Sequence, residues 1–215
     1  MTQDKGSSAV EQGMLSLLRQ FGWEIAKNTR WLVSLTAAAF LIWRRDAVTI
    51  AAIGGALGNA ALGKLLKRLL AEKRPDGAPV SDPGMPSSHA MSLFFLSLYL
   101  SAAINVWTDW PMAARTIVTS SLLIFSTYSA AWRVRAGFHT PAQILVGSVL
   151  GGFNGMAWFY FNHQNMAALQ RLDVFLKESS ALPWALCGSL IVGALLVGSV
   201  ERKISKFLKS KSENK

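Results

Sequence analysis

Long apolar runs separated by short polar stretches dominate this sequence. Six runs carry at most one charged side chain each, which is the pattern of helices that cross a bilayer. The predicted spans are 31–44, 47–63, 90–107, 113–131, 142–161 and 183–200. The pattern therefore predicts an all-α integral membrane bundle of about six transmembrane helices, in one domain that covers residues 31–200.

Polar segments flank this domain on both sides. Residues 1–30 begin with a polar stretch, and within 13–28 the apolar residues Met14, Leu18 and Phe21 recur at helical spacing. An amphipathic helix there can lie on the membrane surface or pack on the bundle, and the sequence favours neither. Residues 201–215 carry six lysines and arginines, so this tail is expected to contact anionic lipid headgroups.

Small and aromatic residues within the spans suggest how the helices pack. Gly54 and Gly58 are four residues apart, as are Gly147, Gly151 and Gly155. Glycines at this spacing let two helices approach closely in lipid. Tryptophans stand at the segment ends, as in an aromatic belt at the membrane interface; they are Trp31, Trp43, Trp107, Trp110, Trp132 and Trp184.

Composition supports a membrane location. Charged residues make up 16% of the chain and the mean hydropathy is +0.30, whereas a soluble domain carries about 25% charged residues. The net charge of +10 sits beside apolar segments, so lipid headgroups are favoured over nucleic acid as partners. The single cysteine excludes a disulfide within the chain, and the three histidines lack metal-ligand spacing. No cofactor is expected, and the sequence leaves protein partners undetermined.

Three polar stretches at the edges of apolar segments carry candidate phosphate chemistry. If consecutive spans alternate in direction, all three fall on the same membrane face. Together they supply three cations, two imidazoles and a Ser-rich turn. They are Lys67-(six residues)-Arg74-Pro75, Pro86-Ser87-Ser88-His89, and Arg133-(five residues)-His139.

The cations and serines match the needs of a bound phosphate. Lys67, Arg74 and Arg133 can hold the three non-bridging oxygens, because arginine forks bind two oxygens and stay charged. Backbone N–H groups at the start of a helix add donors, and Ser87 and Ser88 stand just before the third span. Either serine can also be the N-cap of that helix.

Two histidines can divide the reaction between them. One attacks phosphorus to form a phosphohistidine, and the other protonates the leaving alkoxide. His89 and His139 are the candidates. Glu72, Asp76 and Asp82 are nearby but lack the ligand spacing of a magnesium site, so metal-independent chemistry is expected. Any one of these stretches alone has an ordinary explanation as a basic loop or helix end, and only their joint spacing favours a phosphatase.

The joint pattern resembles the type 2 phosphatidic acid phosphatase (PAP2) superfamily over about residues 31–161. That family has the motifs Lys-x6-Arg-Pro, Pro-Ser-Gly-His and Ser-Arg-x5-His-x3-Asp. The resemblance implies that His139 is the nucleophile and His89 the general acid. Three positions depart from these motifs: Ser88 replaces the glycine of the second, Trp132 replaces the serine of the third, and Gln143 replaces the aspartate that orients the nucleophile. Gln143 is expected to orient His139 through its amide oxygen.

The sequence leaves more than one function and more than one location open. The stretch Ser81-Asp-Pro-Gly-Met-Pro-Ser-Ser-His-Ala resembles the corresponding stretch of plastid epsilon-type lipid phosphate phosphatases. The next most similar group is the dolichyl diphosphatases. The resemblance implies hydrolysis of phosphatidate to diacylglycerol and phosphate; the alternatives are a polyprenyl or dolichyl diphosphate phosphatase and a non-catalytic lipid-binding protein. It implies the plastid inner envelope, with the endoplasmic reticulum as the alternative.

Charge asymmetry predicts which way the site faces. On the assumed topology, 17 of the 22 lysines and arginines lie on the face with the three motifs. The excess persists when the three phosphate-binding cations are left out. The positive-inside rule then directs the site toward the cytosol or stroma.

Overall fold

The computed structural model describes residues 32–178 and 181–193, together with Met14, Gln20, Glu24, Asn28 and Thr29. This part of the chain is helical and contains no strand. The helices are α1 (Leu32–Arg44), α2 (Ala47–Leu70), α3 (Ser88–Trp107), α4 (Met112–Arg135), α5 (Pro141–Gln164), α6 (Met166–Glu178) and α7 (Leu182–Gly193).

Each predicted span coincides with one of these helices, and the all-α prediction is confirmed for the described residues. The helix α6 was not predicted; its few apolar residues do not form a run long enough to read as a span. The predicted helix at 13–28 lies mostly outside the described residues. The tail 201–215 and the end of the sixth predicted span lie wholly outside them.

Three helices, α2, α3 and α5, are long and apolar enough to cross a membrane by length and composition. The helices α1 and α7 are apolar but shorter, and α4 is long but rich in serine and threonine, so the count of six spans is not established. The outer surface of the bundle is apolar, with Leu69, Ile124 and Phe153 all at least 70% exposed. Such a surface is suited to lipid rather than water.

The closest helix pair is α3 with α5, and glycines make it possible. A Cβ added to Gly147 would lie 2.7 Å from the carbonyl oxygen of Ser87, and one added to Gly155 would lie 2.5 Å from that of Phe95. Gly151 meets the α3 backbone in the same way. The expectation of close packing at these three glycines is confirmed.

The same expectation was wrong for Gly54 and Gly58. A Cβ at either position would meet open space within 4 Å. Their neighbour Gly55 makes the contact instead, because the indole of Trp158 lies against its Cα and donates to the carbonyl oxygen of Ala51 at 2.9 Å. The contact face of α2 is thus one residue away from the face that the spacing suggested.

Helix ends define two ends of the bundle. At the motif end, the 71–87 loop meets the start of α5, where the backbone N–H of Ser87 donates to the carbonyl oxygen of Gln143 at 3.1 Å. At the opposite end, Trp107 donates to His163 at 3.1 Å. The helices α2 and α4 continue beyond their predicted spans to the motif end, so Lys67 lies on the final turns of a helix rather than in a loop.

Candidate active site

Two of the predicted phosphate-binding cations converge on one carboxylate. Lys67 Nζ donates to Asp82 Oδ2 at 2.5 Å, and Arg74 Nη2 donates to Oδ1 and Oδ2 at 2.9 and 3.1 Å. Arg74 Nε also donates to the backbone carbonyl of Asp82 at 2.8 Å. Both cationic side chains are less than one-tenth exposed. Asp82 therefore forms ion pairs with both cations, in the place where a phosphate would bind.

The sequence did not single out Asp82 for this role. Burial raises the pKa of its carboxyl, but the hydrogen bond and charge of Lys67, with those of Arg74, outweigh burial and lower the pKa below its usual value. The carboxylate is thus charged at neutral pH. Only the excess of cations over anions near the motifs could have suggested it, since a buried cation pair needs a counter-charge.

Arg74 also joins the first motif to the third. Its Nη1 donates to the carbonyl oxygen of Phe138 at 2.7 Å and lies 3.1 Å from His139 Nε2. A guanidinium only donates hydrogen bonds, so Nε2 accepts with its lone pair. His139 is 3% exposed. The arginine and the histidine that the motifs set 65 residues apart in sequence are therefore direct neighbours.

Gln143 fixes the other side of the His139 ring. Its Oε1 lies 3.2 Å from Nδ1, and because an amide oxygen only accepts, Nδ1 carries the proton. Gln143 is fully buried. Arg74 Nη1 lies closer to Nε2, at 3.1 Å, than to Nδ1, at 3.5 Å. With the Gln143 contact, this favours the neutral tautomer that has a proton on Nδ1 and a lone pair on Nε2. The contact between Gln143 and His139 that the sequence predicted is present.

Local sequence explains why Gln143 stands there. Thr140 caps α5, with Pro141 at its first position, and its hydroxyl accepts from the backbone N–H of Gln143 at 3.2 Å. In return, Gln143 Oε1 accepts from the backbone N–H of Thr140 at 3.2 Å. This reciprocal capping box is the Thr-x-x-Gln pattern, visible in the sequence. It places the amide oxygen one turn from the imidazole.

The environment of His139 favours its neutral form. Burial, followed by the positive charge of Arg74, lowers the pKa of His139 to about 4, although the Gln143 hydrogen bond acts in the opposite direction. The imidazole is then unprotonated at neutral pH. A neutral ring with a lone pair on Nε2 is the form that can attack phosphorus.

The second-motif histidine is held by a separate chain of hydroxyls. His89 Nε2 lies 3.1 Å from Ser129 Oγ, and Ser129 donates to Thr29 Oγ1 at 2.8 Å. Ser129 and Thr29 are both fully buried. Since the Ser129 proton is directed at Thr29, its oxygen accepts from a protonated Nε2 of His89. Neither hydroxyl was predicted, because no motif spacing relates 29, 89 and 129.

The serines of the second motif take different positions. Ser87 is the N-cap of α3, and its fully buried hydroxyl accepts from the backbone N–H of Ala90 at 3.4 Å. Ser88 is the first helical residue and is half-buried. The sequence left the cap open between the two, and the structure assigns it to Ser87. The backbone N–H groups of the first turn face the motif end.

Arg133 lies in an aromatic setting that one sequence departure creates. Its guanidinium carbon lies 3.9 Å from the ring centroid of Phe138 and 5.6 Å from that of Trp132. Trp132 is 5% exposed and packs against Phe138, with 5.7 Å between centroids. The prediction that Trp132 belongs to an interfacial belt was therefore wrong. Cation–π contacts to both rings hold Arg133 beside the loop that carries His139.

An apolar groove adjoins these residues. It has a volume of about 520 Å³, lies among α3, α4 and α5, and is lined mainly by apolar side chains such as Phe94 and Leu145. Its lining also includes Val134 and Pro141, which lie next to Arg133 and two residues after His139 in the chain. The groove therefore lies between the helices, and two of its lining residues are close in sequence to residues of the candidate site.

Sequence comparison agrees with this arrangement. The sequence profile of the PAP2 superfamily matches residues 47–167, which include all three motifs, and the chain therefore belongs to the PAP2 superfamily. Lipid phosphate phosphatase epsilon 1, chloroplastic, from Arabidopsis thaliana is 31% identical over 135 residues, covering 63% of this chain and 48% of the relative. Dolichyldiphosphatase 1 from Homo sapiens is 29% identical over 140 residues, covering 60% and 59%. The chain thus spans about half the length of these curated relatives.

Structural comparison extends the agreement to the fold. A transmembrane PAP2-type phosphatidylglycerolphosphate phosphatase from Bacillus subtilis superposes with a TM-score of 0.57, at 18% identity, over 76% of this chain and 88% of that one. Together with the three helices of spanning length, this identifies an integral membrane protein with a PAP2-type helical fold.

Proposed function

We propose that this protein is a metal-independent lipid phosphate phosphatase that converts phosphatidate to diacylglycerol and inorganic phosphate through a phosphohistidine. The observation that carries the proposal is the state of His139. Arg74 and Gln143 hold it as a neutral ring whose Nε2 lone pair faces a phosphate-binding cation. A nucleophile next to the cations that bind the phosphoryl group is placed to attack phosphorus.

In the first step, the phosphoryl group displaces Asp82 from Lys67 and Arg74, and Arg133 completes the set of cations. Arg74 Nη1 then turns from His139 Nε2 to a phosphoryl oxygen, which frees the lone pair. Nε2 attacks phosphorus as the bond to the glycerol oxygen breaks, and His89 transfers its proton to that oxygen. The N–H groups at the start of α3, with Ser87 and Ser88, add donors to the phosphoryl oxygens.

In the second step, water cleaves the phosphohistidine. His89, now neutral, takes a proton from the attacking water, and the bond between phosphorus and Nε2 breaks. Inorganic phosphate leaves and His89 is again protonated. Gln143 orients the His139 ring through Nδ1, and its amide oxygen also stabilises the positive charge that develops on the ring during the first step.

The apolar groove supports a lipid as the substrate. Its lining residues Val134 and Pro141 are close in sequence to Arg133 and His139, so we place the headgroup at the cations and the acyl chains between α3, α4 and α5. A volume of about 520 Å³ is in the range of small-molecule sites. The second candidate is a polyprenyl diphosphate, favoured by the similarity to dolichyldiphosphatases, because the same cations and histidines would serve a diphosphate.

A phosphate-release assay on purified protein tests the proposal. Phosphatidate and a polyprenyl diphosphate are supplied in micelles with excess EDTA, and release is compared among wild type, His139→Ala and His163→Ala. His163 lies at the opposite end of the bundle, so its variant is the matched control. We expect EDTA-resistant release from phosphatidate that His139→Ala abolishes and His163→Ala keeps. Strict magnesium dependence, or an active His139→Ala variant, would refute the mechanism.

The assay also separates the alternatives. Faster release from the polyprenyl diphosphate would favour the second candidate. A protein that binds phosphatidate but releases no phosphate, and that traps no acid-labile phosphohistidine, would be a lipid-binding protein instead. Trp132 and Gln143 motivate that third possibility, since both depart from the family motif.

The proposed location is a plastid inner envelope, suggested by the chloroplastic relatives, with the site toward the stroma. The sidedness is testable at the exposed loop residue Asp76. An Asp76→Cys variant in a Cys187→Ala background would be treated with an impermeant maleimide in sealed inside-out and right-side-out vesicles. Labelling restricted to vesicles whose stromal or cytosolic face points outward is expected; the reverse pattern would overturn the orientation.

A further inference from the structure

The carboxylate that the family motif supplies next to its nucleophile is missing here, and Glu72 lies within reach of the residue that replaces it. Glu72 follows α2, in the loop that carries Arg74, and its Oε1 accepts from Gln143 Nε2 at 2.9 Å. The Oε1 of the same Gln143 faces His139 Nδ1 at 3.2 Å. One amide therefore connects a carboxylate to the imidazole.

The direction of this amide is fixed by backbone groups. Oε1 receives the N–H of Thr140 at 3.2 Å, and Nε2 donates to the carbonyl oxygen of Lys73 at 2.8 Å. An N–H can only donate and a carbonyl can only accept, so the reversed amide would make two mismatched contacts inside the protein. The chain must run from the Nδ1 proton of His139 to the Gln143 oxygen, and from the Gln143 N–H to Glu72.

The loop is built to pack on this amide. The backbone N–H of Gly84 donates to the carbonyl oxygen of Glu72 at 2.7 Å, which ties the two ends of the 72–84 loop together. A Cβ on Gly84 would collide with the Gln143 amide, so only glycine allows the loop to lie this close. Gln143 is fully buried beneath it. Glu72 is half-buried, so its carboxylate acts on an amide from which water is excluded.

We propose that Glu72 is a positioning residue that acts on His139 through Gln143, as the remote replacement for the family's aspartate. Its negative charge polarises the amide and makes Oε1 a stronger acceptor, because hydrogen bonds in a chain reinforce one another. The backbone groups of Thr140 and Lys73 also hold the Gln143 amide in place, so the contribution that only Glu72 makes is its negative charge. The effect is greatest when positive charge develops on the His139 ring.

This inference rests on the proposed role of His139 as the nucleophile and makes a distinct kinetic prediction. Glu72→Gln keeps a side chain of the same shape that can accept from Gln143, but removes the charge. We expect kcat to fall about tenfold with KM within about twofold of wild type, since loss of a charge-assisted hydrogen bond has an effect of this order. Rapid-quench measurement should show slower formation of the phosphohistidine.

The matched control is Asp76→Asn, which removes a carboxylate from an exposed position of the same loop. A general effect of loop charge would slow both variants equally, and that result would overturn the inference. So would a Glu72→Gln variant with the kcat of wild type. Thermal unfolding in detergent identifies a variant that has lost its fold, and in that case the comparison below carries the test.

A double-variant comparison excludes a purely structural role for Glu72. In a Gln143→Asp background the imidazole has a carboxylate of its own, and Glu72 becomes a neighbouring like charge. Adding Glu72→Gln should then leave kcat unchanged or raise it, instead of lowering it tenfold. An equal loss in both backgrounds would contradict action through the amide.

The outcome of the inference can be separated from that of the proposed function. If wild type releases no phosphate, or His139→Ala is as active as wild type, the proposed function fails. If wild type is active and His139→Ala is not, while Glu72→Gln behaves like Asp76→Asn, only the role of Glu72 fails.

Discussion

Arg74 Nη1 lies 3.1 Å from Nε2 of His139, so a permanent cation covers the nitrogen that the proposed reaction uses. This contact has two effects. Together with burial, it keeps the imidazole neutral, because a second positive charge beside a guanidinium is unfavourable. In the proposed mechanism it also blocks the lone pair until a phosphoryl group draws the guanidinium away. Substrate binding and release of the nucleophile are then one event, which limits reaction with other electrophiles.

The lowered pKa of His139 predicts a particular loss of stability in acid. The pKa is about 4 in the folded protein and about 6.5 in an unfolded chain. Between these values the unfolded state binds the proton and the folded state does not, so stability falls as the pH drops from about 6.5 to about 4. Thermal unfolding in detergent should show a larger decrease in Tm over this window for wild type than for His139→Gln. An equal decrease in Tm for the two proteins would show that the pKa of His139 is not lowered in the folded state.

Asp82 is predicted to compete with phosphate for Lys67 and Arg74. Asp82→Asn removes the competing charge, while the Arg74 contacts to the carbonyl oxygens of Asp82 and Phe138 remain. Inorganic phosphate should therefore inhibit the variant several-fold more strongly than wild type. Inhibition constants measured beside those of Asp76→Asn test this. Weaker inhibition would mean that Asp82 is needed to organise the cations instead.

Ser129 is predicted to position the general acid. Ser129→Ala leaves His89 without its 3.1 Å partner and should lower kcat about tenfold on phosphatidate, whose alkoxide needs a proton. The loss should be much smaller on p-nitrophenyl phosphate, because that leaving group departs unprotonated. Ser126→Ala is the matched control, since Ser126 is a buried hydroxyl of α4 that bonds Ser97. Equal losses on both substrates would refute the role in proton transfer.

The apolar groove is predicted to receive acyl chains. Ala131 lines it and is exposed, so Ala131→Trp should fill the groove without disturbing the bundle core. KM for a long-chain phosphatidate should rise several-fold, while kcat/KM for p-nitrophenyl phosphate should stay near that of wild type. Ala113→Trp, on the exposed surface at the other end of α4, is the control. A KM that is the same in both variants would place the chains elsewhere.

The glycine contacts predict a difference between two similar substitutions. Gly151→Ala forces a Cβ into the backbone of α3 and should destabilise the bundle by about 1–3 kcal/mol. Gly54→Ala adds a Cβ to open space and should leave the Tm unchanged or slightly higher. Thermal unfolding of both variants in the same detergent decides the matter, and equal Tm values would show that α3 and α5 do not pack this closely.

The sequence predicted the long helices and a candidate phosphate site. The apolar runs of a lipid-facing bundle are long enough to recognise directly, and the three motifs together, from Lys67 to His139, indicate phosphate chemistry. The capping box at Thr140 and Gln143 is equally local in the sequence, although it was not predicted. The short helix α6 was missed because it lacks the long apolar run by which the spans were recognised.

Only the tertiary structure decided which residues support the site. Glu72 and Ser129 lie 71 and 40 residues from their partners. Asp82 is only 8 residues from Arg74, but no periodicity relates a carboxylate in a loop to the cations that it meets after folding. The sequence also did not show which face of α2 packs against another helix. Gly54, Gly55 and Gly58 are equivalent in the sequence, and only Gly55 contacts Trp158 of α5 in the structure. The sequence carries chemistry that is local along the chain, whereas counter-charges and hydrogen-bond partners depend on which helices become neighbours.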